Sequence, residues 1–478
     1  MTITFKQMPT ARRTPGRYTE INPVIANRGL SADPIRVLVI GQRLTAGVKA
    51  ALDLVEVTGA DNASSYFGAG SMLARMFEAA FDANPYLYAF GLALDDDGAG
   101  VAATQTITVT GPATGDGVIS VWIAGERVDC VYSAGDAATD IAAALAAAIT
   151  AALTPDLPMV GTNPTPPSPT VTLTARNKGT LGTDIDVHIE VTSGTGAGAT
   201  VAAGISGATD PDLQDALDIV ILEDFDFIIV GHTDATNLGD LETHLTDLVH
   251  PLKSLGAVGV YGYSDGTISN ATTLAANFST CGFLSHGYAR HSPTWDPEIA
   301  ARYGAVLASQ SDPSLPYNNL ATGILPPWAS QNDPTSTEVE SLLWAGVTPL
   351  VRGAGEEVRI IRAITTYTEN DAGGADDAWL DVTVARTLFY IREQVNNMLA
   401  TKYPRDKNTA TRRAAIRQDI LALLKLMEQA EIVENVEDNA DGVLVEVNGS
   451  DPNRCDYVIP ADIVDGLHVL AGRIDLTR

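Results

Sequence analysis

A chain of 478 residues exceeds what one hydrophobic core can organise, since cores stop growing near roughly 250–300 residues, so about two to four domains are expected. Apolar residues at 45 % and charged residues at 19 % exclude an intrinsically disordered chain. A formal net charge of −29 argues against a nucleic-acid binder, whose affinity comes from neutralising phosphates, and against attachment to an anionic membrane surface.

Residues 1–34 hold Pro9, Pro15, Pro23 and Pro34 and little apolar periodicity, which suits an extended arm. Short strand-like pieces at residues 3–5 and 17–21 mark Ile3, Phe5, Tyr18 and Ile21 as residues that would pair outside the arm. The first 30 residues carry five Lys/Arg and one acid. Their scattered bases are not the pattern of a signal peptide, so the chain reads as made in, and used from, a cytoplasm. Residues 35–41 (IRVLVIG) form a continuous apolar run ending in glycine, as in a buried strand. The spacing of Leu73, Met76, Phe77 and Ala80 predicts a helix over 70–81 that begins near Ser71 and stops at Asn84-Pro85. A second strand follows over 86–94.

Residues 95–100 (DDDGAG) read as a hinge rather than a cation site. Beyond it the pattern changes. Residues 106–110, 118–123 and 128–132 alternate as strands, and an Ala-rich helix starts near Ala137. That helix (141–153) is too short to span a bilayer. A proline-rich loop and strands over 171–175 and 185–191 complete a small β-rich segment. The hinge and a glycine-rich stretch at 193–198 flank it, which suggests insertion into a host domain.

The host pattern resumes near residue 206. Strands are expected over 225–231, 257–263 and 281–286. Helices are expected from Thr233 or Asp234 to about Val249, over 271–278 and over 297–309. Alternation of strands and helices means a mainly parallel sheet covered on both faces. Residues 31–350 carry 36 acids against 10 bases. An acidic middle reads most simply as a solvated surface; the sharper alternative is that the middle faces water while both ends face partners.

The last section starts near 345, with strands around 358–364. One helix carries Val384, Leu388, Ile391, Val395 and Met398, and a second carries Ile416, Ile420, Leu423, Leu424 and Met427. Lys402, Arg405, Lys407, Arg412, Arg413 and Arg417 form the densest basic cluster of the chain, either a partner-facing surface or a solvated helix face. Residues 443–447 alternate as a strand, 451–453 form a turn, and 467–476 read as a terminal strand containing Val469, Leu470, Ile474 and Leu476. Unpaired strand edges are templates for another chain, and strand-like segments at both ends would let copies of the chain pair with one another.

Recognisable catalytic chemistry is sparse. Ser264-Asp265-Gly266 and Ser285-His286-Gly287 are partial echoes of a subtilisin-type triad, and Gly70-Ser71-Met72 stands in the wrong order and reads as a helix start. Gly68-x-Gly70 lacks the lysine or third glycine of a phosphate loop. His232 and Asp234 follow a strand, where α/β sites often occur, but capping explains Asp234 more simply. No catalytic residue, cofactor or metal site is expected. Cys130, Cys281 and Cys455 show no metal-binding spacing. They read as reduced thiols, with inter-subunit disulfides open as the alternative.

Several segments taken in order resemble the Mu-like contractile phage tail sheath family: Pro15-Gly16-Arg17-Tyr18-Thr19-Glu20, residues 36–41, the FGAGSM stretch through Met72, Arg362-Ala363-Ile364-Thr365-Thr366-Tyr367, Asp377, Leu380-Asp381, residues 387–392 (TLFYIR), Lys402-Tyr403-Pro404-Arg405-Asp406-Lys407 and Asp451-Pro452-Asn453-Arg454. The chain departs from the family after Lys407, where an acidic loop is usual and residues 408–413 follow directly.

The resemblance implies a multidomain α/β fold. Its parts would be an arm (1–34), a non-catalytic subtilisin-like middle domain (35–97 plus 206–344), a β-rich outer insertion (98–205), a tube-facing α+β inner domain (345–455) and a C-terminal strand arm (456–478). It implies a structural, non-enzymatic subunit that polymerises helically around a tail tube by strand exchange and contracts by repacking of subunit bodies. The partners would be copies of itself, the tail tube protein, and baseplate and tail terminator proteins, in a phage tail assembled in the host cytoplasm. The basic cluster would face the tube. A hydrolase on the same α/β fold is the alternative, and an adhesin of β modules a third reading; the first lacks a convergent triad, the second a signal peptide.

Overall fold

A computed structural model describes residues 34–151, 156–164 and 167–476. Ile3, Phe5, Tyr18 and Ile21 lie outside the described residues. Contacts divide the described chain into two compact units, residues 34–392 with 463–476 and residues 393–462. Each is taken by itself.

The first unit opens with β1 (Arg36–Gln42), β2 (Val55–Val57), α1 (Ala60–Phe67), α2 (Met72–Ala83) and β3 (Tyr88–Leu94). After an excursion described below come α4 (Gln214–Ile219), β11 (Phe227–Val230), α5 (Ala235–Val249), β12 (Val258–Tyr263), α6 (Ile268–Ala276), β13 (Leu284–Tyr288), α7 (Asp296–Leu307), α8 (Ser336–Trp344), β14 (Thr348–Arg352), β15 (Val358–Ile360) and the start of α9 (Val382–Lys402). One eight-stranded sheet results, in the order β15-β14-β13-β12-β11-β1-β3-β2. It is parallel except at its two edge strands, β2 and β15.

Burial on both faces is written into β1. Val37 and Val39 point into one core with Met72, Met76, Ile299 and Tyr303, while Leu38 and Ile40 point into another with Leu238, Leu241 and Leu245. Successive side chains alternate across a strand, so a central parallel strand must be apolar at every position. Helix starts follow side-chain capping: Ser71 Oγ accepts from the Ala74 amide at 3.2 Å and Asp234 from the Asn237 amide at 3.0 Å. At Gly262 in β12 an added Cβ would lie 2.4 Å from the Ala300 amide nitrogen, so α7 packs on the sheet at a distance only glycine permits.

The excursion comprises β4 (Thr104–Thr110), β5 (Gly117–Ile123), β6 (Glu126–Tyr132), α3 (Ala138–Ala151), β7 (Met159–Thr162), β8 (Thr170–Ala175), β9 (Val187–Ser193) and β10 (Gly198–Ala203). They form two antiparallel sheets, β10-β4-β8-β7 and β6-β5-β9. Ile141, Leu145 and Ile149 of α3 line up at helical spacing and share a core with Ile107, Ile119, Val121 and Leu173. The glycine-rich 193–198 stretch, read above as a flank, instead connects β9 to β10. The segment returns to its host at the Val101–Ala208 bridge.

Side-chain contacts among those that fasten this segment to the sheet and helices around it run through Arg75, Trp295 and Trp328. Arg75 of α2, 4 % exposed, meets Glu298 of α7 at 2.8 Å and Glu126 of β6 at 3.6 Å. Trp295 Nε1 donates to the Leu181 carbonyl at 2.8 Å, and Trp328 Nε1 to Asp186 at 2.9 Å. Strands β14 and β15, read above with the last section, are the outer strands of the main sheet, β14 parallel to β13.

The second unit contains the end of α9, then α10 (Ala410–Gln429), β16 (Leu444–Val447) and β17 (Cys455–Val458). Val395, Ile420, Leu421, Leu424, Met427, Ile432, Val433, Val436 and Val443 are its buried apolar residues among those described. β16 and β17 pair antiparallel with each other and form a sheet of two strands. The terminal strand expected over 467–476 is not formed: no described residue there pairs in a sheet, because a strand needs an edge to bind and this segment meets none.

Candidate assembly surfaces

The catalytic echoes are taken up by structure. Ser285 and His286 are neighbours on β13 and so face opposite sides of the sheet. Ser285 Oγ lies 2.8 Å from Tyr303 Oη and donates to the Ile364 carbonyl at 2.7 Å. His286 is fully buried and stacked on Tyr261 at 4.4 Å between ring centroids, and burial pushes its pKa down to about 3. Ser264 donates to Asp296 at 2.5 Å, and burial of Asp296 raises its carboxyl well above the usual range. Each of these residues is engaged in its own structural contact, and no Ser–His–Asp hydrogen-bond chain joins them among the described residues. Among the described residues, no group of three or more His, Cys, Asp or Glu is arranged to hold a metal ion, and no helix is long and apolar enough to cross a membrane.

Unsatisfied surface is concentrated near the end of the chain. The β16–β17 hairpin exposes Leu444 at 47 % and Val458 at 58 %, with Val447 and Tyr457 close behind. An isolated two-stranded hairpin is marginal in water, and among the described residues each strand has only one neighbour. Beyond His468 the chain is exposed through Leu476. Leu470, Ile474 and Leu476 are 84–99 % exposed and alternate with Ala471, Arg473 and Asp475. Such alternation suits a strand with one buried face, yet the face is bare.

The six basic candidates separate into bound and free. Arg417 donates to the carbonyls of Val443 at 2.7 Å and Ala440 at 2.6 Å, so it clamps α10 to the start of the hairpin. Arg413 donates to Asn408 Oδ1 at 2.8 Å, Lys402 pairs with Asp419 at 2.9 Å, and Arg412 lies 3.4 Å from Asp406. Arg405 and Lys407, in the loop between α9 and α10, are exposed and make no ion pair among the described residues. Of the thiols, Cys130 and Cys281 are buried in the subunit. Desolvation pushes the Cys281 thiol up to about 12. Cys455, on β17, is half-buried.

Comparison with known proteins now decides the family. The phage tail sheath protein central domain family matches residues 206–366, and the phage tail sheath C-terminal domain family matches residues 374–477. The Mu-like prophage FluMu tail sheath protein of Haemophilus influenzae is 31 % identical over 494 residues, which is 99 % of each chain. This chain belongs to the phage tail sheath family. It is a structural subunit of a contractile tail sheath of the Mu-like kind, and the hydrolase reading has no support.

Solved structures share the fold at low identity. A sheath tail protein from Listeria innocua superposes with a TM-score of 0.52 at 14 % identity, over 92 % of this chain and 94 % of that one. A chain of the anti-feeding prophage baseplate gives 0.51 at 10 %, over 98 % and 100 %. The open hairpin, the bare tail and the basic loop of this sheath subunit all fall within the C-terminal domain match, whereas residues 98–205 fall outside both matched domains. The sequence singled out the tail and the basic cluster but joined residues 456–458 to the C-terminal arm, whereas they belong to β17 and pair with β16; the CDYV stretch is too short and too polar to show a strand period of its own.

Proposed function

We propose that the subunit polymerises helically around a tail tube by strand exchange, the exposed tail of one copy adding to the open β16–β17 hairpin of another. The supporting observation is the coincidence of an incomplete sheet and an unpaired, alternating apolar segment in one chain. Main-chain pairing of this kind sets register and gives connections that persist while subunit bodies repack. Contacts that do not close into a ring generate a helix. In this reading the Ile3–Phe5 and Tyr18–Ile21 pieces act in the same way. The 345–455 region lies innermost, with Arg405 and Lys407 toward the tube. The α/β domain forms the middle layer, and the 98–205 segment the outer one. Baseplate and tail terminator proteins bound the polymer, in a virion tail assembled in the host cytoplasm. Contraction needs no nucleotide: a gain of even a few kcal/mol per subunit, typical of switch energies, multiplies along a polymer.

Deleting residues 469–478 tests this reading. The truncated subunit should melt like the full chain and remain unassembled at concentrations where the full chain forms sheath-like rods by electron microscopy. Rods of normal abundance from the truncated chain would refute strand exchange by the tail.

A further inference from the structure

The exposed tail has a fixed root. His468 is the last residue of the chain that is not exposed among those described, and its side chain is 16 % exposed. Its Nδ1 lies 2.9 Å from the Asn318 amide nitrogen and 3.2 Å from the Asn318 side-chain oxygen, and its Nε2 lies 3.6 Å from Asp381 Oδ1, beyond hydrogen-bond length. The shorter Nδ1 contact fits the neutral tautomer in which Nδ1 accepts from the Asn318 amide and Nε2–H faces the carboxylate.

Both partners are themselves immobilised. Arg362 grips Asp381 with two parallel bonds, Nε to Oδ1 at 2.8 Å and Nη2 to Oδ2 at 2.7 Å, the geometry that gives arginine–carboxylate pairs their rigidity. Asn318 sits between Tyr317, which is buried and hydrogen-bonded by Arg386 of α9, and Asn319, whose amide donates to the Ile360 carbonyl at 2.7 Å. At Gly466 an added Cβ would come within 2.9 Å of Pro316 and 2.6 Å of the His468 ring, so glycine lets the chain pass close enough for the ring to reach its seat. Two residues beyond His468, Leu470 is 85 % exposed. The change from held to free is abrupt.

We propose that His468, seated between Asn318 and Asp381, is a positioning residue that clips the root of the C-terminal arm to its own body and so sets the point from which the arm reaches a neighbour. This rests on the strand-exchange reading above. An arm beginning at a fixed root searches a smaller volume than one that peels back toward residue 463. Less freedom is lost on pairing, and the effective concentration at the neighbour's sheet edge is higher. The ten residues beyond the clip span at most about 35 Å when extended. A wandering root would blur which neighbour that length can reach.

The test uses the full chain with His468→Ala, Asn318→Ala and His468→Gln, beside the chain truncated after residue 468. Gln offers an acceptor toward Asn318 and a donor toward Asp381. Hydrogen exchange is read on unassembled subunits over residues 463–470, and the critical concentration for rods by sedimentation. His468→Ala and Asn318→Ala should each speed exchange in that stretch about tenfold and raise the critical concentration several-fold, with the melting temperature unchanged. His468→Gln should restore both readouts. Normal exchange and normal assembly in both alanine variants, with the truncated chain unable to assemble, would overturn the clip and leave strand exchange standing. Normal assembly of the truncated chain would remove strand exchange, and with it the clip's role. Should His468→Ala fail to fold, Asn318→Ala breaks the same contact from the other side of the ring and decides between these outcomes.

Discussion

The two units solve the same problem in opposite ways. In residues 34–392 an eight-stranded sheet is covered on both faces, and its β15 edge is closed by backbone bonds from Asn319 and Thr322. In residues 393–462 the sheet among the described residues stops at two strands and leaves Leu444, Val447, Tyr457 and Val458 in water. Among the described residues, one region covers its sheet with its own chain and the other leaves its hairpin open. The lesson is that polar saturation and apolar burial, followed strand by strand, separate a folding core from an assembly surface without reference to any partner.

The contrast predicts large stability effects in the first region and assembly effects in the second. The largest should come from Arg75→Ala. It strands Glu298, 4 % exposed, without its counter-charge, and breaking a buried pair from one side costs about 3–5 kcal/mol. A denaturant melt reads this directly, and a loss under about 1 kcal/mol would mean that the three-way contact of α2, α7 and β6 is not a junction.

Next is the acid response of His286. Its pKa is about 3 when folded, against about 6.5 for a free imidazole, so the unfolded state takes up the proton first as pH falls. The folded state is penalised by about 1.4 kcal/mol per pH unit between those values. Asp296, whose carboxyl is raised, pulls the other way. His286→Phe isolates the histidine effect: the variant should gain on the parent by about 2 kcal/mol between pH 6.5 and 4.5. A constant difference across that range would show that the ring takes up its proton while folded.

Smaller still on stability are changes in the open region. Val458→Lys, on the exposed hairpin, should alter the melt of the lone subunit by about 0.5 kcal/mol or less while raising the concentration needed for rods. Arg405→Glu with Lys407→Glu should leave both melt and rod formation intact and reduce only co-assembly with an acidic tube. Equal loss of rods and of tube binding would place these residues between sheath subunits instead.

Much of the closed region was legible because its periods are strong. The IRVLVIG run, the Leu238–Leu241–Leu245 stripe behind Asp234 and the helix behind Ser71 all show apolar spacing with a cap or glycine at the right end. Weak patterns hid the rest. Helix α1 (ADNASSYF) buries only Ala63 and Phe67, and β10 (GATVAA) is built of small residues. Helix α8 did carry a readable sign, the Thr335–Glu338 capping box. The Arg75–Glu298 pair and the His468–Asp381 clip join residues far apart in sequence, and neither has a local signature. In the basic cluster the density of charge was visible, but not that Arg417 is occupied by backbone carbonyls while Arg405 and Lys407 make no ion pair among the described residues.

A reconstruction of the assembled sheath by electron cryomicroscopy at side-chain resolution examines the open hairpin most directly. The account predicts a third strand beside Leu444–Val447 or Cys455–Val458, supplied by residues 469–476 of another copy, with Leu470, Ile474 and Leu476 buried beneath it. A hairpin still two-stranded in the rod, with each tail lying on its own subunit, would contradict it.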